Sequence, residues 1–245
     1  MIYFLLAAYN EESDLPRLFE EFITAGFNFP YHIIVVDDGS TDNTAAIAEG
    51  YKNRLPVSVL RHNQNRGLGK ALGTGLHEIS GRIKAGDILV TIDADGTHPL
   101  DTVYEIKKKI ESGADVVVAS RFIRGGGENG VSVLRRSLSH TANFGLRILW
   151  PIKNIRDYSS GFRGYSNVIL SRLNDVFGSG IIRENGFAAT LELLLKADIA
   201  GAAFDEAALK LRYDAKKGRS KMKIIKTILD YFRLIVRLWP LKAGK

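Results

Sequence analysis

At 245 residues, 45% apolar and 25% charged, the chain can bury a sizeable core and has an ordinary globular composition. The absence of cysteine excludes a disulfide framework, a thiolate metal cage and a cysteine nucleophile, and is compatible with the cytoplasm. The formal charge of +7 is uneven: residues 216–245 hold ten Lys or Arg against one acid, a net of +9, whereas residues 1–215 hold 24 bases against 26 acids, a net of −2. Such a tail suits an anionic partner, either a phospholipid surface or a nucleic acid.

The opening MIYFLLAAYNEESD lacks the basic flank and length of a signal peptide and predicts a strand at 2–7. No stretch reaches the roughly 18–20 consecutive apolar residues that span a bilayer, so no integral membrane segment is predicted. A helix at 13–25 follows, then HIIVVDD as a strand at 32–38, a helix at 42–53 and VSVLR as a strand at 57–61. Helices at 67–80 and 100–112 flank the strand DILVTID at 87–93, and DVVVAS forms another strand at 115–120. Near-continuous apolar strands alternating with helices predict a mostly parallel α/β sheet with helices on both faces. In such sheets ligands sit beyond the carboxyl ends of the strands, and every strand end here is polar or charged.

After residue 120 the pattern loosens. RFIRGGGENG is glycine-rich and basic and reads as a mobile lid or acceptor loop. Helices are predicted at 135–149, 167–175 and 187–199, then a strand in AAFDEAALKLRY, the loop DAKKGRSKM and a final helix. No repeat or linker divides the chain. The organisation predicted is a domain at 1–222, with a nucleotide-binding half to about 120 and an acceptor half beyond, followed by a basic amphipathic helix at 223–245.

Two motifs carry most of the chemistry. In VVDDGSTDNT, Ser40 to Asp42 can cap a helix, but capping leaves Asp37 and Asp38 unexplained. A carboxylate at that strand end can accept from a ribose hydroxyl or a base N–H. In DADGTHP, Asp93 and Asp95 can converge across a turn on Mg²⁺ or Mn²⁺, cations held by one or two carboxylates together with substrate phosphates. His98 reads as a turn residue rather than a ligand. NRGLGKALGTG matches neither the dinucleotide nor the Walker pattern, because Ala71 follows Lys70. Its glycines are expected to let a helix start approach the nucleotide or the sheet closely.

The order AYNEE, VVDDGSTD, NRGLGKA, IDADGTHP, ASR, SSGFRGYS and GRSKM resembles the family 2 glycosyltransferases of the GT-A fold, above all dolichol-phosphate mannose synthases and their bacterial polyprenyl-phosphate relatives. The resemblance covers about residues 3–225. It implies a nucleoside grip by Ala7, Tyr9, Glu11, Val36 and Asp38, with Asp37 adjacent. It implies a divalent cation, Mg²⁺ or Mn²⁺, on Asp93 and Asp95, with Ala94 lining the site. Arg121 would face the reacting phosphates, Arg135 and Ser139 would hold the acceptor phosphate, and Lys221 would reach the donor diphosphate. Asp95, Arg121 and Arg135 are thus the implied catalytic residues. Three departures stand out. Ala7 replaces a customary proline. Thr97 replaces a glutamine that completes the metal shell. Ala215 replaces an arginine, for which Lys216 or Lys217 could supply charge without the bidentate fork.

The resemblance implies inverting transfer of a hexose, mannose or glucose, from GDP-mannose or UDP-glucose to a polyprenyl phosphate at the cytoplasmic face of a membrane. A phosphate acceptor is already anionic and needs no general base; a glycan hydroxyl would need one, with Glu184 and Glu192 as candidates. A nucleotidyltransferase of similar fold and a nucleotide-sugar-binding protein with weakened catalysis are further readings. In the tail, Ile225, Ile228, Leu229, Phe232, Ile235, Val236 and Trp239 recur at helical spacing, flanked by Lys223, Lys226, Arg233 and Arg237. Such a helix can pack on the body or lie in a membrane interface. No nucleic-acid-binding motif accompanies the charge, so no nucleic-acid partner is expected.

Overall fold

The computed structural model describes residues 1–215, 217 and 224–243. Its first half runs β1 (Ile2–Ala8), α1 (Leu15–Thr24), β2 (Tyr31–Asp37), α2 (Thr44–Gly50), β3 (Val57–Arg61), α3 (Leu68–Ser80), β4 (Ile88–Asp93), α4 (Thr102–Glu111) and β5 (Val116–Ser120). The rest runs β6 (Gly127–Asn129), α5 (Val133–Leu149), β7 (Arg163–Ser166), α6 (Asn167–Phe177), α7 (Ala188–Ile199), β8 (Phe204–Ala208), β9 (Lys210–Arg212) and α8 (Ile224–Ala243). Seven strands form one sheet in the order β3-β2-β1-β4-β7-β5-β8, with β7 antiparallel to both neighbours and every other pairing parallel.

Alternation within the strands feeds two cores. In β1, Tyr3 and Leu5 join the core under α3, α6, α7 and α8, while Ile2, Phe4 and Leu6 join the one under α1, α2 and α4. Burying each large apolar side chain contributes about 1.5–3 kcal/mol, so packing rather than helix propensity holds these layers. α7 is buried on all sides and carries Glu192 and Lys196 one turn apart, paired at 2.6 Å.

The sheet departs from the predicted pattern in three places. SSGFRGYS supplies β7, a four-residue strand too short and too polar to read as one; its Arg163 is buried and donates to the carbonyls of Tyr158, at 2.7 Å, and Thr190. AAFDEAALKLRY is two strands, with β8 in the main sheet and β9 leaving it after Leu209. The glycine-rich segment is ordered rather than loose, because β6 within it pairs with β9 and Gly127 N donates to Leu209 O at 2.9 Å.

The chain order switches direction between β1 and β4: β2 and β3 lie on one side of β1 and β4 on the other. Ala7 of β1 stands beside Asp93 of β4 in register. The switch point thereby brings the AYNEE and DADG strand ends side by side, at the crevice where open α/β sheets bind ligands.

Candidate active site

β4 runs buried through Ile92 and ends on Asp93, whose side chain is about half exposed toward the crevice. The turn beyond is fixed by its backbone. Gly96 has φ +64°, and a Cβ there would lie 2.8 Å from Arg17 Nη2. Arg17, on α1, donates to the carbonyls of Asp95 at 3.0 Å and Gly96 at 3.1 Å. Asp95 is buried, and its Oδ1 accepts from Thr97 N at 3.1 Å and Thr97 Oγ1 at 2.8 Å. The Thr97 hydroxyl thus orients Asp95. His98 is also buried, stacked on Phe162 at 5.1 Å with Nε2 3.9 Å from Asp93 Oδ2. Two carboxylates steered to one rim form a hard oxygen donor set, which suits Mg²⁺ or Mn²⁺ shared with substrate phosphates. Among the described residues no cluster of three His, Cys, Asp or Glu forms a closed cage. Asp93 and Asp95 could therefore hold a cation that substrate oxygens complete.

The DD motif divides its labour. Asp38 is buried at the crevice: Oδ1 meets His62 Nδ1 at 2.6 Å and accepts from Arg66 N at 3.0 Å, and Oδ2 accepts from Gly67 N at 2.7 Å. It holds the loop before α3 in place. Gly67 has φ +91°, and a Cβ on Gly69 would lie 1.7 Å from Glu184 O, so these glycines admit the backbone of residues 184–185 against the start of α3. Gly69 N donates to Asn185 O at 3.0 Å. Asp37 turns away, accepting from Ser40 N at 3.1 Å and lying 3.2 Å from Arg61 Nε, and Val36 is buried in the core. Neither Asp37 nor Val36 is among the residues lining the crevice. Ser40 and Thr44 accept from the backbone N–H groups of Asn10 and Glu11, at 2.9 and 2.8 Å, knitting the two strand-end loops together. At the start of α2 the Asn43 side chain makes no cap bond, but Asp42 Oδ1 accepts from Thr44 N at 3.0 Å, so the capping expected of Ser40 to Asp42 falls to Asp42, while Ser40 knits the loops.

Across the crevice, Arg121 is already engaged. Its Nε and Nη2 meet Asp157 at 2.7 and 2.8 Å, Nη2 also donates to Ser159 Oγ at 2.7 Å, and Nη1 lies 3.0 Å from Glu128 Oε1. Burial alone would lower the Arg121 pKa, but the Asp157 carboxylate raises it above the ordinary value. Burial would likewise raise that of Asp157, and Arg121 holds it below the usual carboxylate range. Arg121 therefore lines the crevice as a fixed ion pair rather than as a cation open to a phosphate. Arg135, on α5, donates to Tyr213 Oη at 2.7 Å with its guanidinium over that ring, and Ser139 follows one turn later.

Ala7, Tyr9, Glu11, Asp38, Asp93, Ala94, Asp95, Thr97, Arg121, Arg135 and Ser139 line one cavity of about 500 Å³, within the usual size of small-molecule sites. Lys221 and Lys216 lie outside the described residues. Neither base candidate reaches the cavity with a usable carboxylate. Glu192 is fully buried, accepting from the N–H groups of Arg183 and Glu184 and pairing with Lys196 and Arg237, while Glu184 pairs with Arg237 at 2.9 Å. The carboxylate the sequence reading missed is Glu128, on β6. It is buried in the cavity wall, and neither of its oxygens accepts a hydrogen bond despite the nearby Arg121. Its only sequence signal is that it is the single acid in RFIRGGGENG.

The model of the family described as glycosyl transferase family 2 matches residues 3–173. The chain belongs to that family. It is 31% identical over 237 residues to a dolichol-phosphate mannosyltransferase of Pyrococcus furiosus, covering 96% of this chain and 62% of that protein. It is 32% identical over 172 residues to a polyprenol monophosphomannose synthase of Mycolicibacterium smegmatis, covering 69% and 63%. The chain thus spans less than two thirds of either relative. The fold is similar to that of Mycobacterium tuberculosis glucosyl-3-phosphoglycerate synthase, solved with Mn²⁺, UDP and glucosyl-3-phosphoglycerate: TM-score 0.71, 22% identity, covering 97% of this chain and 79% of that one. The GT-A architecture expected from the sequence is therefore the one observed.

Proposed function

We propose that this protein transfers a hexose, mannose or glucose, from a nucleotide sugar such as GDP-mannose or UDP-glucose to a polyprenyl phosphate, with inversion at the anomeric carbon. The observation that carries the reading is one cavity that joins the Asp93–Asp95 rim to Arg135 and Ser139 of α5. The relatives' names support the lipid-phosphate acceptor. Tyr9, Glu11 and Asp38 would border the nucleoside. A divalent cation on Asp93 and Asp95 would stabilise charge on the departing diphosphate. Arg135 and Ser139 would orient the acceptor phosphate for in-line attack, its oxygen already anionic. Arg121 acts at one remove, fixing the Asp157 loop that presents Ser159 and Ser160 to the cavity.

Access to a lipid acceptor is supported by α8. Tyr231, Leu234, Ile235 and Leu238 pack on the body, while Leu229, Phe232, Val236 and Trp239 form a second, exposed apolar face. The sequence left packing and membrane contact as alternatives, and α8 has a face for each. Among the described residues no helix is long and apolar enough to cross a membrane, and we infer peripheral docking through the exposed face.

One observation favours a second reading. Glu128, ion-paired with Arg121 and Arg136 but accepting no hydrogen bond, places a carboxylate in the cavity wall, where it could serve a hydroxyl acceptor as a base. The test is transfer of labelled sugar from a panel of nucleotide sugars into organic-extractable polyprenyl phosphate, with Mn²⁺ or with EDTA. Metal-dependent label in the lipid phase is expected. Absence of lipid label, together with label on a soluble glycan that Glu128→Gln abolishes, would transfer the conclusion to the hydroxyl acceptor.

A further inference from the structure

A second cavity, of about 630 Å³, lies on the far side of Arg121 and Asn143, the two residues it shares with the cleft. Its lining holds Arg147, Arg156 and His140 as well, and no carboxylate. Arg121 is neutralised by Asp157, but neither Arg147 nor Arg156 forms an ion pair among the described residues, and both are exposed. Glu206 is buried and accepts from the backbone N–H groups of Arg156 and Asp157 at 2.8 and 2.9 Å, while Asp157 is taken up by Arg121. Helical spacing sets His140, Phe144, Arg147 and Ile148 on one face of α5. Phe144 and Ile148 are each 64% exposed. Just beyond α5, the buried Trp150 meets Trp239 of α8 with ring centroids 6.0 Å apart.

We propose that this groove binds the phosphate of an anionic membrane lipid, with Phe144 and Ile148 against its acyl chains. The inference rests on the peripheral membrane docking inferred above, and it adds a site separate from the acceptor position. Two guanidinium groups with no acid partner offer paired N–H donors that match phosphate oxygens. The apolar residues beside them suit a ligand that is charged at one end and hydrocarbon at the other, which a free phosphate is not.

The experiment is co-sedimentation of the full chain with vesicles of phosphatidylcholine alone and of phosphatidylcholine mixed with phosphatidylglycerol. Wild type is expected to prefer the anionic vesicles. Arg147→Gln/Arg156→Gln should weaken binding to them by about 30-fold, two cations near an anionic surface, with little change on neutral vesicles. Lys84→Gln/Lys108→Gln, which removes the same charge at the opposite rim of the sheet, should cost far less. Both targeted arginines are exposed, so unchanged thermal unfolding will certify the variant. A double variant that keeps the full preference overturns the groove and leaves membrane docking standing. Glycerol phosphate or inorganic phosphate that binds wild type but not the variant, with no vesicle preference, reassigns the groove to a soluble anion and overturns the lipid. No binding to either vesicle overturns the docking reading and the groove with it.

Discussion

The two walls of the cleft are held by opposite means. On the sheet rim, Asp38 and Asp95 are oriented mainly by neutral donors, backbone N–H groups and the Thr97 hydroxyl, so the carboxylates keep their charge for whatever binds. On the α5 side, Arg121 is oriented by Asp157 and Glu128, so its charge is already spent. The helices differ likewise. α1 buries Leu15, Leu18, Phe19 and Phe22 against the sheet, whereas α5 leaves Val133, Leu134, Phe144 and Ile148 to solvent. A rim of oriented carboxylates facing a wall with uncovered apolar surface is the arrangement that the proposed pairing of a nucleotide-sugar donor with a lipid acceptor would use.

The largest expected effect tests the support behind the rim. Glu192→Ala leaves Lys196 buried without its partner and frees the 183–185 backbone, and should cost about 3–5 kcal/mol in denaturant unfolding. A loss within 1 kcal/mol would mean that α7 does not brace the loop against which α3 begins. Next, Asp95→Asn should reduce sugar transfer by about a hundredfold to a thousandfold while the melting temperature stays close to wild type. The reverse pattern, activity kept and stability lost, would make Asp95 a structural acid and erase the contrast between the walls.

Asp157→Asn probes the other wall through pH. Asp157 is held below the ordinary carboxyl range in the fold, so its stabilisation is present above the unfolded value of about 3.9 and is lost as pH falls from there toward the lowered folded value. The variant should be about 2–3 kcal/mol less stable at neutral pH, and the gap from wild type should close below about pH 4. Parallel curves across that window would show that the pair does not hold the wall. The smallest effect is on α8: Phe232→Ser/Val236→Ser should change stability by no more than about 0.5 kcal/mol for each exposed site yet weaken vesicle binding. A large stability loss would assign that face to packing.

Much of the rim was legible because its signals are local. Asp93, Gly96 and Thr97 sit in one turn, and buried parallel strands advertise themselves as apolar runs. The choice between Asp37 and Asp38 was not legible, because it depends on Arg61, His62 and the 66–67 backbone, which lie more than 20 residues on. Arg121 was read as open to phosphate because nothing near it in sequence reveals Asp157, 36 residues away. β7 was missed because four residues containing Gly and a buried Arg carry no strand pattern; the flanking strands impose it.

The position of β7 also dictates an order of assembly. β1 to β4 pair among themselves, so that half of the sheet can close as soon as it is made. β5 pairs only with β7 and β8, both later in the chain. During synthesis at the usual pace of roughly 5–20 residues per second, the 46 residues from Ser120 to Ser166 take about 2–9 seconds. For that interval an apolar strand, VVVAS, waits with both edges bare beside a finished half-sheet, and that window is when the nascent chain most needs a chaperone.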